Sequence, residues 1–159
     1  MKEKNKFTVI RDTREKKEIW DFPVDEYCFG TVNKALSTGD YSIQELPDNF
    51  VTIERKKSPG EIYNNLFEKR FYNEIERLME FKYKIIICQF DLKTLMNWPI
   101  GSGIPQIYWD GLKANANYII SKLMNIQVKY NIPISFAGLH SQELAKTYLR
   151  QVARIEGLI

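Results

Sequence analysis

The sequence predicts an α/β fold, with a mixed central sheet that opens as an N-terminal β-meander and is flanked by helices. Short β-type runs separated by turn residues fill the first third of the chain. Further on, apolar residues recur at helical spacing, with continuous apolar runs between them. A length of 159 residues is that of one domain with one substantial core, so residues 1–159 read as a single unit.

Phe7-Thr8-Val9-Ile10 is short, apolar and β-branched, and it ends in polar Arg11-Asp12-Thr13-Arg14-Glu15, as a strand does. After an irregular stretch around Trp20-Asp21-Phe22-Pro23, a second strand is expected at Thr31–Leu36, closed by Ser37-Thr38-Gly39. Asp40–Leu46 alternates as a third strand and Phe50–Lys56 returns as a fourth, with Pro47-Asp48-Asn49 supplying the turn. Ser58-Pro59-Gly60-Glu61 carries the signature of a helix start: a serine cap, proline in the first turn and an acid three residues on. Beyond it, Phe67, Phe71, Ile75 and Leu78 form one helical stripe.

Lys84 to Phe90 is a continuous apolar run suited to a strand covered on both faces. Leu95 to Gly111, with Pro99, Gly101, Gly103 and Pro105, reads as a long loop. Ala116, Ile119, Leu123 and Ile126 stripe an amphipathic helix. Ile132–Phe136 is a short strand, which Pro133 assigns to a sheet edge, and Leu144, Tyr148, Val152 and Ile155 stripe a last helix.

Composition removes several classes of function. No apolar run approaches the ~20 residues a bilayer requires, and the charged start Met1–Lys6 is unlike a secretory leader. The expected location is the cytoplasm, with nucleoid association in a bacterial or phage setting and the nucleus left open. Cys28 and Cys88 lack zinc or disulfide spacing, and Cys88 reads as a small buried hydrophobe. The lone His140 precedes a helix, where a surface or capping role is its default, and histidine metal sites are disfavoured. Any metal must then sit among carboxylates, which selects hard ions such as magnesium or manganese. The formal charge of +3 permits nucleic-acid binding without requiring it.

The chemistry-bearing residues concentrate in the second hairpin. Asp40 opens one strand and Glu54 lies late on its partner, so a turn near Pro47–Asn49 puts both acids at one end of the sheet. Glu54 and Lys56, two apart in a strand, share a face, and Arg55 points the other way. Asp12, just past the first strand, is placed to add a third acid, with Arg14 and Glu15 close behind. Carboxylates that hold a divalent cation beside a lysine form the apparatus of phosphodiester hydrolysis. On spacing alone, a solvated strand end with ordinary salt bridges explains the same acids more economically.

Taken together, Asp12-Thr13-Arg14-Glu15, Gly39-Asp40-Tyr41 and Ile53-Glu54-Arg55-Lys56 resemble the D-x-R-E, G-D-Y and V-E-R-K motifs of XPF-type structure-specific endonucleases. That family belongs to the PD-(D/E)XK nucleases, whose fold is restriction-endonuclease-like. The likeness continues through Arg70, Phe71 and Glu74, and through Ile85–Asp91. It implies Asp12, Asp40 and Glu54 as ligands to Mg2+ or Mn2+, and Lys56 as the catalytic lysine. Arg14, Glu15 and Arg55 are implied as supports of the site, with a possible reach to the scissile phosphate.

The implied substrate is branched or flap-bearing DNA, cut beside a single-strand/double-strand junction in repair or recombination, and the implied assembly is a homodimer through the C-terminal helices. The aspartate often found four residues after the motif lysine is here Gly60, with Glu61 next to it. The cellular enzymes carry a helix-hairpin-helix module after the nuclease domain, for which Ile159 leaves no room, so a stand-alone phage-type version is expected.

Lys57, Lys69, Arg70 and Arg77 are candidate phosphate contacts. For Arg70, Glu74 and Arg77 a salt-bridged solvent face competes with that role. Trp98, Tyr108 and Trp109 could stack on bases, although folding the loop onto the domain explains them too. The expectation is thus a metal-dependent DNA endonuclease. Its alternatives are a catalytically silent DNA-binding or scaffolding subunit and a double-strand nuclease without structure specificity.

Overall fold

A computed structural model describes residues 5–159; the first four residues of the charged start lie outside it. Six strands form one sheet in the order β2-β1-β3-β4-β5-β6. They are β1 (Phe7–Arg11), β2 (Cys28–Asn33), β3 (Tyr41–Ile43), β4 (Val51–Lys56), β5 (Tyr83–Cys88) and β6 (Ile134–Phe136). The helices are α1 (Pro59–Asn65), α2 (Lys69–Leu78), α3 (Leu92–Met96), α4 (Ala116–Tyr130) and α5 (Ser141–Ile155). The mixed sheet flanked by helices is the predicted class.

The path through the first strands departs from a simple meander. β2 runs parallel to β1 on its outer side, and the chain then returns across to pair β3 antiparallel with β1. Parallel neighbours need a crossover of a dozen residues or more, and the irregular stretch around Trp20 and Phe22 supplies it. Both rings are buried, because the crossover covers the sheet in place of a helix. β3 is antiparallel to both its neighbours, whereas β4, β5 and β6 run parallel.

The faces of the sheet carry separate cores. On one, Ile86 and Cys88 meet Ile62, Phe71, Ile75, Leu95, Leu123 and Ile126 from α1 to α4. On the other, Val9, Tyr41, Ile53 and Ile87 meet Ala145, Leu149 and Val152 from α5. Burial pushes the Cys88 thiol up to about 12, so it behaves as the inert hydrophobe expected. His140 is exposed at the start of α5 and caps nothing with its side chain.

Ser58 caps α1 as predicted, accepting the Glu61 N–H at 3.2 Å. The single stripe expected from Phe67 to Leu78 is interrupted: the chain breaks between α1 and α2, and Phe67 stands 43% exposed in the break. The expected loop at 95–111 is partly helical. Asp91 caps α3 by accepting the Thr94 N–H at 2.7 Å, buried Leu95 anchors it, and Gln106–Gly111 winds as a 3-10 turn. Pro133 precedes edge strand β6, as expected. α5 is rotated from its predicted face. Small Ala145 and Ala153 flank Leu149 inside, because they allow close approach to the sheet, and Leu144 and Ile155 face outward.

Asp25 ties the crossover to α5. Its Oδ1 accepts the N–H groups of Tyr27 and Cys28 at 2.7 and 2.8 Å, and Oδ2 lies 2.8 Å from Lys146 Nζ and 3.3 Å from an Arg150 nitrogen. Burial works to raise this carboxyl, but the Lys146 bond and the two backbone donors overcome it and lower the pKa to about 2. A folded pKa below the unfolded ~3.9 gives stability that is complete above pH ~4 and lost as pH falls towards 2. Asp25→Asn is expected to cost about 1 kcal/mol at pH 7. Urea titrations from pH 7 to 2 should show a shallower acid loss in this variant than in the parent.

Candidate active site

Alternation along β4 sorts its last residues. Ile53 and Arg55 face α5, whereas Glu54 and Lys56 face α1 and α2, beside Ile86 and Cys88 of β5. Asp40 joins them because β3 runs against β4. Its N–H donates to the Ile53 carbonyl at 2.8 Å, and its Oδ2 accepts the Arg55 N–H at 2.7 Å. On the other side, its carbonyl accepts the Asp12 N–H at 2.8 Å. Asp40 is therefore held from both neighbouring strand ends.

The approach to Asp40 requires Gly39. Its φ of +80° is left-handed, and a Cβ there would stand 1.8 Å from Thr52 Oγ1, itself donating to the Thr38 carbonyl at 3.1 Å. No other residue fits.

Lys56 is enclosed among carboxylates. Its Nζ lies 3.1 Å from Glu54 Oε1 and 3.9 Å from Glu61 Oε1, and 5.0 Å above the Phe71 ring. Glu61 is fixed in turn by accepting the Lys57 N–H at 2.7 Å. Burial opposes the ammonium, but the Glu54 and Glu61 charges outweigh it and raise the Lys56 pKa, so the lysine stays protonated. Burial pushes the Asp40 carboxyl well above the usual range; the neighbouring Glu54 charge adds to the shift, and the Arg55 N–H only partly opposes it. Glu54 is raised too, first by burial, with Lys56 opposing and Glu74 of α2 reinforcing.

This donor set fits a hard divalent cation. Two facing carboxylates, each penalised by burial, gain most when a positive ion stands between them. Magnesium is commonly held by one or two carboxylates, with water and phosphate oxygens completing its shell. Asp12, the third expected ligand, is hydrogen-bonded by the loop residues beside it. Its Oδ1 accepts the Leu36 N–H at 2.8 Å, and its Oδ2 accepts from Arg14 Nε at 2.7 Å and Arg14 N–H at 3.3 Å. Burial raises that carboxyl, yet the Leu36 and Arg14 bonds lower it overall. Among the described residues, no three acids, cysteines or histidines come together as a complete metal cage. Asp12 secures Arg14 and the loop that leads to Asp40.

Arg55 points to the opposite face of β4 and pairs there with Glu15, whose charge still reaches Asp40. The Arg55 side chain is fully enclosed and donates to Glu15 Oε2 at 2.8 Å, to Gln89 Oε1 at 2.9 Å and to the Glu18 carbonyl, above the Trp20 ring. Tyr41 also donates to Glu15 Oε2, at 3.1 Å. Support of the site is consistent with this placement; contact with a phosphate is not. Arg14, by contrast, is 69% exposed on its side chain, and the charges of Asp12, Asp40 and Glu74 act on it.

The other basic candidates spread along α2. Lys69 and Arg70 are exposed at its start, with Arg70 3.5 Å from Glu68, and Arg77 near its end donates to Thr38 Oγ1 at 3.3 Å. Glu74 lies between Phe71, which touches Lys56, and Arg77, which touches the loop before Asp40. Trp98 is buried, its indole N–H donating to the Ala114 carbonyl at 3.2 Å, and Trp109 donates to the Ile104 carbonyl at 2.9 Å. Trp98 thereby anchors its loop to the domain, and Trp109 closes the loop on itself. The roles of Glu61, Gln89 and Trp20 in the site escape sequence reasoning. Only the spacing of Glu61 from Lys56, one turn into the capped helix, hinted at its part.

Truncation of the enclosed guanidinium removes the donor to Gln89 Oε1 and leaves Glu15 with the Tyr41 hydroxyl but without its ion-pair partner. Arg55→Ala is expected to cost about 3–5 kcal/mol in chemical denaturation, whereas a solvent-facing phosphate contact would cost almost nothing. Gly39→Ala should cost about 2–4 kcal/mol by the same measurement, from the left-handed φ and the Thr52 clash together.

Comparison with known proteins agrees with this architecture. Residues 11–147 match the model of the ERCC4 domain. The fold is similar to that of XPF from Aeropyrum pernix, with a TM-score of 0.62 at 19% identity over 92% of this chain. A second structure, XPF from Aeropyrum pernix in complex with DNA, gives a TM-score of 0.57 at 19% identity over 95% of this chain. In both cases the chain spans 65% of the length of the matched protein. No curated protein matches it by sequence. Matched over most of its length and built on the same sheet, the chain belongs to the ERCC4-domain family and has the fold of the XPF nuclease domain.

Proposed function

We propose that the chain is a divalent-metal-dependent endonuclease that hydrolyses DNA phosphodiesters at branched, flap or fork structures. The observation that carries this reading is the pairing of Asp40 with Glu54 at a strand end, beside a lysine held charged between Glu54 and Glu61. Membership of the ERCC4-domain family supports it. Retention of both acids and the lysine argues against a silent scaffolding subunit.

Asp40 and Glu54 would hold a magnesium or manganese ion, which polarises the scissile phosphate and lowers the pKa of the attacking water. Lys56 places its ammonium against the charge that grows on the phosphoryl oxygens. Glu61 keeps that ammonium in position, and Phe71 closes the space beneath it. Arg14, exposed beside Asp40, is placed to meet the incoming backbone, and Asp12 fixes its direction. Arg55, Glu15 and Tyr41 hold β3 and β4 in register from the opposite face.

Lys57, Lys69, Arg70 and Arg77 extend the positive surface along α1 and α2, where they would bind flanking phosphates. Homodimerisation through the C-terminal helices belongs to the same reading; exposed Val128, Leu144 and Ile155 are apolar groups that such a pairing would cover. No helix among the described residues is long and apolar enough to cross a membrane, and the proposed location is wherever the cell keeps its DNA.

The purified protein, offered flap, fork, four-way and linear duplex DNA, should cut only with magnesium or manganese and should prefer the branched substrates. Asp40→Asn and Glu54→Gln should each slow cutting by about 100-fold or more and weaken Mn2+ binding in calorimetry. Undiminished cutting by both variants would sink the mechanism. Equal cutting of linear and branched DNA would remove the structure preference and leave a general double-strand nuclease.

A further inference from the structure

A ladder of aromatic rings leaves the core beside α1 and ends in solvent. Buried Trp98 stacks on Tyr63 with centroids 5.2 Å apart, and Tyr63 meets Phe67 edge-on at 5.4 Å. Phe67 and Tyr118 close the series, parallel to within 3° at 6.5 Å. These last two rings are 43% and 41% exposed. A cation stands over each: Lys113 Nζ lies 5.4 Å from the Phe67 centroid, and Lys122 Nζ 5.4 Å from that of Tyr118. The Lys113 N–H donates to the Tyr63 hydroxyl at 3.1 Å, which holds this segment to the ladder.

Core packing accounts for Trp98 and Tyr63. It does not account for two parallel rings left half in solvent, each beside an exposed lysine. The chain path agrees, because Phe67 falls in the break between α1 and α2 and not on the buried stripe of either helix.

Aromatic faces interleaved with cations are the pattern by which single strands are bound: bases stack on the rings while phosphates meet the ammonium groups. Exposed Lys69 and Arg70 extend the positive field, and the nearby Glu68 is already engaged with Arg70 at 3.5 Å. Phe71, whose ring carries Lys56, follows Phe67 by four residues, a span of at most about 14 Å. That is a reach of a few nucleotides of extended strand from the paired acids.

The geometry points to Phe67 and Tyr118, with Lys113 and Lys122, as a stacking platform for unpaired nucleotides of single-stranded DNA. This rests on the nuclease reading and sharpens it: the platform would receive the unpaired arm of a junction whose strand is cut at Asp40 and Glu54. Bases are gripped through their faces, so the platform recognises unpaired strand and not sequence.

The test measures binding of labelled oligothymidylate, about 12 nucleotides long, and of a matched duplex, by anisotropy without divalent metal. The Phe67→Ala/Tyr118→Ala variant should lose about tenfold in affinity for single strand relative to duplex. Lys113→Ala/Lys122→Ala should lower the salt dependence of single-strand binding by about 1.4 in the log–log slope. Phe67→Trp keeps a stacking ring if alanine disturbs folding; it should retain the affinity, and its emission should be quenched by oligothymidylate.

Wild-type single-strand affinity in a double variant with native circular dichroism would overturn the platform, as would equal losses for single strand and duplex. A variant that turns a dimer into a monomer while binding single strand normally would assign the surface to a second copy of the chain, and overturn it too. Cleavage assays with metal run beside these measurements. Cutting without any contribution of the rings to single-strand binding defeats this inference alone. Single-strand binding through the rings in a chain that cuts nothing defeats the nuclease reading alone.

Discussion

The Arg55 guanidinium has no contact with solvent, and much of the site's geometry follows from how it is satisfied. An unpaired cation at such depth would cost several kcal/mol, so its partners are obligatory. They come from separate parts of the chain: Glu15, Glu18 and Trp20 from the crossover, and Gln89 from the end of β5. The same residue donates its backbone N–H to Asp40. An ion pair on one face of the sheet thereby positions a carboxylate at its end.

The strand period divides the work. Consecutive residues of β4 point to opposite faces, so Arg55 can be sealed under the crossover while Glu54 and Lys56 open towards α1 and α2. The reversal of β3 completes the arrangement, since only an antiparallel neighbour brings its first residues to the last residues of β4. Gly39 makes the entry to β3 tight enough for that register. Loop, strand and helix each add one group to the same few ångströms, and none of them is adjacent in sequence to all the others.

The electrostatics carry a tension that binding would relieve. Asp40 and Glu54 are both pushed towards protonation by burial, with the neighbouring charge adding to it at Asp40, while Lys56 is held charged between two acids. A cation placed between the two acids would relieve the cost of their burial. Asp12 differs, because hydrogen bonds from Leu36 and Arg14 lower its carboxyl overall against the effect of burial.

Local signals reached far into this structure. The Ser58 cap, the edge position after Pro133, the buried run of β5 and the face shared by Glu54 and Lys56 follow from hydrogen-bonding and periodic rules that act within a few residues. The pairing of Asp40 with Glu54 was legible for the same reason, since one short turn joins their strands. The parallel course of β2 was not, nor the inward face of α5, the exposure of Phe67, the bond from Leu36 to Asp12 or the burial of Arg55.

Each of these depends on what a side chain meets across the fold, and periodicity reports that a face is buried without naming its partner. The sequence by itself determined that acids and a lysine gather at one end of β3 and β4, and on which side of β4 Glu54 and Lys56 stand. Only the tertiary structure decided which acids face one another and which hold the scaffold, because burial and pairing at each carboxylate are set by elements distant in the chain.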